Sequence, residues 1–140
     1  MYVRIEKLPF LGDIVWCFFP ETMGNLTPKP RPAIVTGISK SNHEILVAFG
    51  TSKKTDKLYP GEFLIARADG EELFAMSGLS YDTKFDLSRT MILPFTTEFF
   101  SKAPKKNNVP FPKLGSVHIT YHAAFEKAKH YAAIKKAKKK

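Results

Sequence analysis

Short runs of β-branched and aromatic residues, separated by turn-forming residues, fill the first part of the chain. Such runs favour strands, whereas Gly, Pro, Asn and Asp favour the turns between them. Four strands are predicted at GDIVWCFFP (12–20), RPAIVTGIS (31–39), EILVAFGTS (44–52) and GEFLIAR (61–67). The second and third flank the turn-like KSNH (40–43), so we expect them to form an antiparallel hairpin.

The hydrophobic pattern is less regular in the middle of the chain. ELFAMSGL (72–79) fits a short helix, and TKFDLSRTMILPF (83–95) alternates weakly, as one strand or two. SKAPKKNNVPFPKLG (101–115) contains three prolines, so it is predicted to be a loop.

Apolar side chains change to helical spacing near the C-terminus. No Pro or Gly follows Gly115, and a helix is predicted over about residues 117–134. One face of this helix is predicted to contain Tyr121, Ala124, Phe125, Ala128, Tyr131 and Ala132. Several short strands followed by one helix predict a mainly β protein: a small, strongly bent antiparallel sheet or barrel with the helix packed on it. Residues 1–140 are expected to form a single domain.

Positive charge is concentrated at the C-terminus. Residues 126–140 contain seven Lys and one Glu, a net charge of +6 out of +9 for the whole chain. The lysine-rich tail, residues 135–140, has two interpretations. It is either a solvated terminus that aids solubility or an electrostatic contact for phosphate.

Cysteine usage and the absence of targeting patterns favour a cytoplasmic protein. The single Cys17 lies in the predicted strand segment VWCFF and cannot form an internal disulfide, which is typical of a reduced thiol. The N-terminus shows no signal-peptide pattern, and no apolar run approaches the ~18 residues of a membrane span. We therefore expect no membrane association.

Familiar catalytic and metal-binding motifs are missing. The sequence has no G-x-S-x-G turn, no P-loop, and no Cys and His pair at a suggestive spacing. His118, His122, Glu126 and His130 recur at every fourth residue, but HITYH lacks the Glu of the zinc motif H-E-x-x-H. We interpret these four residues as a solvated helix face, and we expect no metal site and no cofactor.

Arg31 is the strongest candidate for chemistry. It lies between Pro30 and Pro32, which restrict the backbone on both sides, and it opens a hairpin strand whose partner ends in GTS (50–52). Residue 31 is expected to pair near residue 52, which would bring a guanidinium and two hydroxyls together. This combination suits a phosphodiester, because arginine donates two parallel hydrogen bonds to phosphate oxygens. The alternative is an arginine that forms a salt bridge on a strand edge.

Four segments resemble the PemK/MazF/Kid-type toxin family. GDIVWCFFPETMGNLTPKPRPAIVTGI (12–38) has the family's Gly-Asp-hydrophobic-Val-Trp opening and its Arg-Pro-Ala-hydrophobic-Val strand. LVAFGTS (46–52) is similar to a hydrophobic strand that ends in Thr-Thr or Thr-Ser, and KLGSVHITYHAAFEKA (113–128) resembles the turn into the C-terminal helix. TKFDLSRTMIL (83–93) is similar to the Arg-x-Asp segment of the Kid branch, with Lys in place of Arg.

The resemblance implies an SH3-like antiparallel β-barrel, usually a homodimer, that acts as the toxin of a type II toxin–antitoxin pair. Such toxins are metal-independent endoribonucleases that cleave single-stranded RNA, and each has a cognate antitoxin protein as its partner. The implied reaction is attack by the ribose 2′-hydroxyl on the adjacent phosphorus. It leaves a 2′,3′-cyclic phosphate and a 5′-hydroxyl.

The resemblance also implies roles for individual residues. Arg31 and Thr51 match the catalytic arginine and threonine, and Asp86 matches the carboxylate that serves as the catalytic base. Lysine at position 84 would contact phosphate as a point charge rather than as a planar fork. The expected substrate-binding residues are Ser52, Lys53, Lys54 and Lys84.

Other functions are also compatible with these residues. A non-catalytic module on the same barrel would bind RNA or protein. A plain RNA-binding barrel would use the lysine-rich tail for its contacts. A gyrase poison of the same fold is disfavoured, because those toxins rely on a C-terminal helix with a Trp-Gly-hydrophobic-Phe-type end. This chain ends in KKAKKK (135–140) instead.

Overall fold

The computed structural model describes residues 2–18, 30–101 and 112–138, the last four by their backbone alone. Within these residues the strands are β1 (Asp13–Phe18), β2 (Pro30–Ser39), β3 (Glu44–Thr51), β4 (Glu62–Ile65), β5 (Thr83–Pro94) and β6 (Lys113–Ser116). The helices in the same residues are α1 (Glu71–Ser77) and α2 (His122–Lys138), with short 3-10 turns at Arg67–Asp69 and Ile119–Tyr121.

The described strands form one antiparallel sheet in the order β4-β5-β3-β2-β1-β6. The sheet curls into a half-barrel, and α2 packs on β4 and β5. This confirms the predicted fold class, a small antiparallel barrel-like sheet with a C-terminal helix. The segment 83–95 forms the single strand β5, and the segment 72–79 contains the short helix α1. The described helices include none with the length and apolar character of a membrane span.

The predicted hairpin of β2 and β3 is confirmed by their antiparallel pairing. Near the turn, Ser39 pairs with Glu44, a register that would carry Arg31 to residue 52. A bulge in the middle of β2 shifts this register by one residue. Continuing the ladder therefore places Arg31 opposite Thr51.

The two faces of the sheet carry separate hydrophobic cores. Side chains alternate between the faces, so that Ile14 of β1 lies in one core and Val15 in the other. The first core lies against α2 and includes Phe125. The second includes Phe95, and the N-terminal segment packs against it through the partly buried Leu8.

α2 begins and ends later than predicted. The predicted start is occupied by the 3-10 turn at Ile119–Tyr121, and the α-helix continues to Lys138. The first four residues of the lysine-rich tail are therefore helical in their backbone, and residues 139–140 lie outside the described residues.

The buried face of α2 is narrower than predicted. Tyr121, Phe125, Ala128 and Ala132 are buried, at the spacing i, i+4, i+7 and i+11. Ala124 and Tyr131 are exposed, in contrast to the prediction, because the helix contacts the sheet along a single narrow line.

Tyr121 fastens the start of this helical region to the end of β4. Its hydroxyl donates to Asp69 Oδ2 at 2.6 Å and accepts from the Ala66 N–H at 3.3 Å. Burial of the side chain, together with the bond to the Asp69 carboxylate, raises the pKa of Tyr121 to about 12. The neutral phenol is therefore the form that holds these two segments together at neutral pH.

β6 corrects the prediction that residues 101–115 form a loop. Lys113–Ser116 pairs with β1 at the edge of the sheet. A Cβ at Gly115 would lie 2.3 Å from the Met76 carbonyl oxygen, so glycine lets α1 pack directly on β6. Residues 102–111 of the predicted loop, and residues 19–20 of the first predicted strand, lie outside the described residues.

Candidate active site

Arg31 lies near the open end of the β2–β3 hairpin. Its backbone pairs with Cys17 on β1, and its side chain is exposed. Its guanidinium carbon is 5.9 Å from the centroid of the Phe49 ring on β3. No ion pair joins Arg31 to another described residue, so the alternative of a salt-bridged edge arginine finds no support there.

A cleft of about 470 Å³ opens beside this end of the hairpin. Arg31 from β2 lines it together with Thr51, Ser52 and Lys53 from the end of β3. The guanidinium and hydroxyl groups that the sequence assigns to two strand ends therefore meet at one site. The other described lining residues are Trp16, Pro32, Gly50, Gly78, Leu79, Ser80, Tyr81, Thr83 and Leu114.

The end of β3 is built for close packing on one side and polar contacts on the other. A Cβ at Gly50 would lie 2.5 Å from Thr83 Cγ2 and 2.7 Å from Phe85 Cε1. Glycine is therefore needed for β5 to approach this closely. The Thr51 hydroxyl accepts from the Lys53 N–H at 3.2 Å, which turns the chain at the rim of the cleft.

The two lysines after Ser52 occupy different positions. Lys53 lines the cleft, whereas Lys54 does not. Lys54 adopts a left-handed backbone conformation with φ of 55°, as in a tight turn. Both lysines were expected to bind the substrate. Only Lys53 lies in the cleft lining, so its position alone supports that expectation.

The connection from α1 to β5 forms a wall of the cleft that sequence reasoning missed. α1 ends at Ser77 and is capped by Gly78, whose φ of 73° lies in the left-handed region that favours glycine. Ser80 and Tyr81 follow along the cleft. Arg67 holds this connection by two hydrogen bonds. Its guanidinium donates to the Ser80 carbonyl at 3.3 Å, and its backbone N–H donates to Asp82 Oδ1 at 2.8 Å. The glycine after the helical pattern was a signal for a helix end, but not for its position beside the hairpin.

Lys84 is the β5 partner of Thr51, but it does not line the cleft. It is only 7% exposed. Its Nζ donates to Glu62 Oε1 at 3.1 Å and to the Lys57 carbonyl at 2.9 Å. The expected contact between Lys84 and a substrate phosphate would require these bonds to be replaced.

Asp86 forms no hydrogen bond or ion pair with Arg31 and does not line the cleft. Its Oδ1 accepts from the Ser88 N–H at 3.0 Å and from the Ser88 hydroxyl, and its Oδ2 is 3.8 Å from Arg89 Nε. Asp86 and Lys84 share a face of β5, as their spacing predicts, but neither lines the cleft. The convergence of Arg31, Lys84 and Asp86 on one phosphate is therefore not found.

The histidine series on α2 forms no metal cluster in the structure. No group of three or more His, Cys, Asp or Glu side chains is placed to hold a metal ion among the described residues. His118 Nδ1 accepts from the Thr120 N–H at 3.0 Å, while His122, Glu126 and His130 are exposed. Cys17 is fully buried, and this burial raises the pKa of its thiol.

The described lining of the cleft is rich in donors. Arg31 and Lys53 supply positive charge, and the hydroxyls of Thr51 and Ser52 supply further hydrogen bonds. It contains no carboxylate and no imidazole among the described residues. These groups are suited to bind a phosphate and to stabilise added negative charge on it.

Comparison with known proteins supports the fold. No family model and no curated protein matches the sequence. Among 35 matching chains of solved structures, one comes from an endoribonuclease in complex with its cognate antitoxin from a mycobacterial species. The match has a TM-score of 0.56 and 12% sequence identity, and it covers 90% of this chain and 95% of that chain. The two chains share a fold. The sequence resemblance implied a fold of this class, and the structural match agrees with it.

Proposed function

We propose that this protein is a toxin-type endoribonuclease that cleaves single-stranded RNA without a metal ion. One observation carries the proposal: Arg31, Thr51 and Ser52 meet at one cleft, in a fold shared with a solved endoribonuclease. The resemblance of residues 12–38 to the PemK/MazF/Kid-type toxins leads to the same function from the sequence.

The proposed reaction uses the nucleophile of the RNA itself. The ribose 2′-hydroxyl attacks the adjacent phosphorus and loses its proton to solvent, and the bond to the 5′-oxygen breaks. That oxygen takes up a proton from solvent, which leaves a 2′,3′-cyclic phosphate and a 5′-hydroxyl. Arg31 binds two phosphate oxygens, and the Thr51 hydroxyl donates to the negative charge that grows in the transition state. Because neither a metal-bound water nor an enzyme nucleophile takes part, the chemistry requires no metal ion.

Aromatic and basic groups around the phosphate favour a single strand of nucleic acid. Trp16 and Tyr81 line the same cleft as Arg31 and Lys53. An unpaired base can stack on an aromatic side chain, which contributes roughly 1–3 kcal/mol per base. A base within a duplex does not expose its face in this way.

The proposal extends to two protein partners. A toxin of this type requires a cognate antitoxin that binds it, and the resemblance implies a homodimer. The expected cellular compartment is the cytoplasm, where both RNA and a reduced Cys17 thiol would be found.

Cleavage of a single-stranded RNA pool in EDTA tests the proposal. We expect the wild-type protein to produce fragments with 2′,3′-cyclic phosphate ends. Arg31→Ala should lower kcat/KM by roughly 100-fold or more, the effect of losing one transition-state donor. Arg31→Lys should recover little of this loss, because a single ammonium cannot make the two parallel bonds of a guanidinium.

Arg89→Ala is the matched control, because Arg89 is an exposed β5 arginine outside the cleft lining. It should cleave like the wild type. Intact RNA that nevertheless binds the wild-type protein would instead identify a non-catalytic RNA-binding module. Near-normal cleavage by a folded Arg31→Ala protein would remove Arg31 from the mechanism.

A further inference from the structure

The loop between β3 and β4, residues 52–61, carries Ser52 and Lys53 at the rim of the cleft. It has almost no packing of its own. From residue 52 to residue 60 every side chain is exposed except the half-buried Thr55. A loop with so little buried surface needs polar anchors to hold one conformation.

The strongest of these anchors is a buried ion pair at the far end of the loop. Lys84 Nζ lies 3.1 Å from Glu62 Oε1, and the two side chains are 8% and 13% exposed. The same amino group donates to the Lys57 carbonyl at 2.9 Å and lies 5.6 Å from the centroid of the Tyr59 ring. Glu62 Oε1 also accepts from the Tyr59 N–H at 2.8 Å. One ion pair therefore holds two positions of the loop.

The same lysine is tied to the cleft through the sheet. Lys84 is the cross-strand partner of Thr51, the last residue of β3 before the loop. β5 therefore carries the loop anchor beside the strand on which the loop begins. The Lys84 side chain reaches the loop at the Lys57 carbonyl, between Lys53 and β4.

We propose that Lys84 is a positioning residue: paired with Glu62, it holds the 52–61 loop so that Ser52 and Lys53 face the RNA phosphate. This inference rests on the proposed ribonuclease function, and it differs from the role of a phosphate ligand that the resemblance implies for Lys84. Misplacement of a substrate-binding group by about 1 Å can cost up to 100-fold in rate.

The two roles predict opposite effects of changing Glu62. If Lys84 acts through the pair, Glu62→Gln should lower kcat/KM roughly 10-fold or more, similar to Lys84→Gln. The double variant Lys84→Gln/Glu62→Gln should be no worse than either single variant. If Lys84 binds phosphate directly, Glu62→Gln should leave cleavage unchanged or raise it, and this would overturn the proposal.

Salt dependence of RNA binding separates Lys84 from a true phosphate ligand. Lys53→Gln, at a lysine that lines the cleft, should make the plot of log Kd against log salt shallower by about 0.7, the effect of one fewer lysine–phosphate ion pair. In this Lys53→Gln background, Lys84→Gln should leave the slope unchanged, because Lys84 makes no phosphate contact of its own. A further decrease of about 0.7 in that background would refute the positioning role.

A double-mutant cycle of Lys84 and Lys53 separates positioning from a general loss of stability. If Lys84 acts by placing Lys53, then Lys84→Gln should have little further effect on kcat/KM in a Lys53→Gln background. A purely structural role for Lys84 would instead add its full loss to that of Lys53→Gln. That additive outcome would contradict the proposal.

Hydrogen exchange tests the pair without reference to ribonuclease activity. Lys84→Gln and Glu62→Gln should each speed exchange of the amides in residues 52–61 by roughly 10-fold or more, while β2 and β3 keep their protection. Unchanged exchange in the loop would overturn the proposal even if the protein cleaves RNA. Faster loop exchange in a protein that cleaves no RNA would refute the ribonuclease function and leave the loop anchor established.

Discussion

Asp86 interacts with its neighbours on β5 rather than with the cleft. The Ser88 N–H and hydroxyl both donate to it, and Arg89 lies beside it. Its carboxylate therefore already accepts hydrogen bonds at the irregular part of β5, between Phe85 and Thr90, where the register with β3 shifts. The role of catalytic base remains a hypothesis from the resemblance, and the geometry does not favour it.

Asp86→Asn is expected to keep most of the proposed ribonuclease activity. Asparagine retains the oxygen that accepts from Ser88 but cannot take up a proton. We expect kcat/KM to stay within about threefold of the wild type, whereas loss of a catalytic base costs roughly 100-fold or more. Initial rates on a single-stranded RNA check this, with binding of a 2′-deoxy analogue as the control for folding. A loss of that larger size with intact binding would restore Asp86 as the base.

α2 carries the lysine-rich tail on a continuous backbone. The helix runs through residue 138, so the backbone of residues 135–138 continues α2. A helical backbone fits both a solvated terminus and a binding surface for the RNA backbone. The charge of the tail makes the binding surface the interpretation to test.

Replacing the five lysines of residues 135–140 by glutamine tests that interpretation. Glutamine keeps the chain length and a similar helix propensity, so the change removes charge and little else. We expect weaker RNA binding with a shallower salt dependence, by about 0.7 for each lysine that pairs with a phosphate, and an unchanged cleavage sequence. Fluorescence anisotropy at several salt concentrations measures the slope. The same slope as the wild type would support the other interpretation, in which the tail is a solvated terminus.

At the scale of the whole molecule, α2 joins the fold through one narrow line of side chains. Phe125 lies on this line, and its ring centroid is 5.6 Å from that of Phe63 in an edge-to-face contact. Tyr131 lies off the line and is 42% exposed. The two aromatic residues, which the sequence pattern assigns to the same face, are therefore expected to differ in their contribution to stability.

Phe125→Ala should reduce the free energy of unfolding by about 3–5 kcal/mol, because it leaves a cavity between the helix and the sheet. Tyr131→Ala should cost less than about 1 kcal/mol, as for an exposed position. Urea unfolding, followed by circular dichroism, compares the two variants under one condition. Equal losses would mean that the helix packs along the broader face that the sequence predicts.

Local sequence determined strands β1 to β5, the hairpin and the position of Arg31. β-branched runs, prolines and turn residues act between close neighbours in the chain, so their effect is visible without a structure. The meeting of Arg31 with Thr51 and Ser52 was predictable for the same reason, since a hairpin joins residues separated by one short turn. Even there, the β2 bulge shifted the expected partner of Arg31 by one residue.

Only the tertiary structure decided the partners of Lys84 and Asp86. Their spacing predicts a shared strand face, but not that Glu62 and the Lys57 carbonyl hold Lys84 or that Ser88 holds Asp86. The edge strand β6 and the Ser80–Tyr81 wall likewise depend on packing between distant segments. The sequence offers many polar groups that could bond to Lys84 or Asp86 equally well. Only the folded structure decides which of them lie close enough to do so.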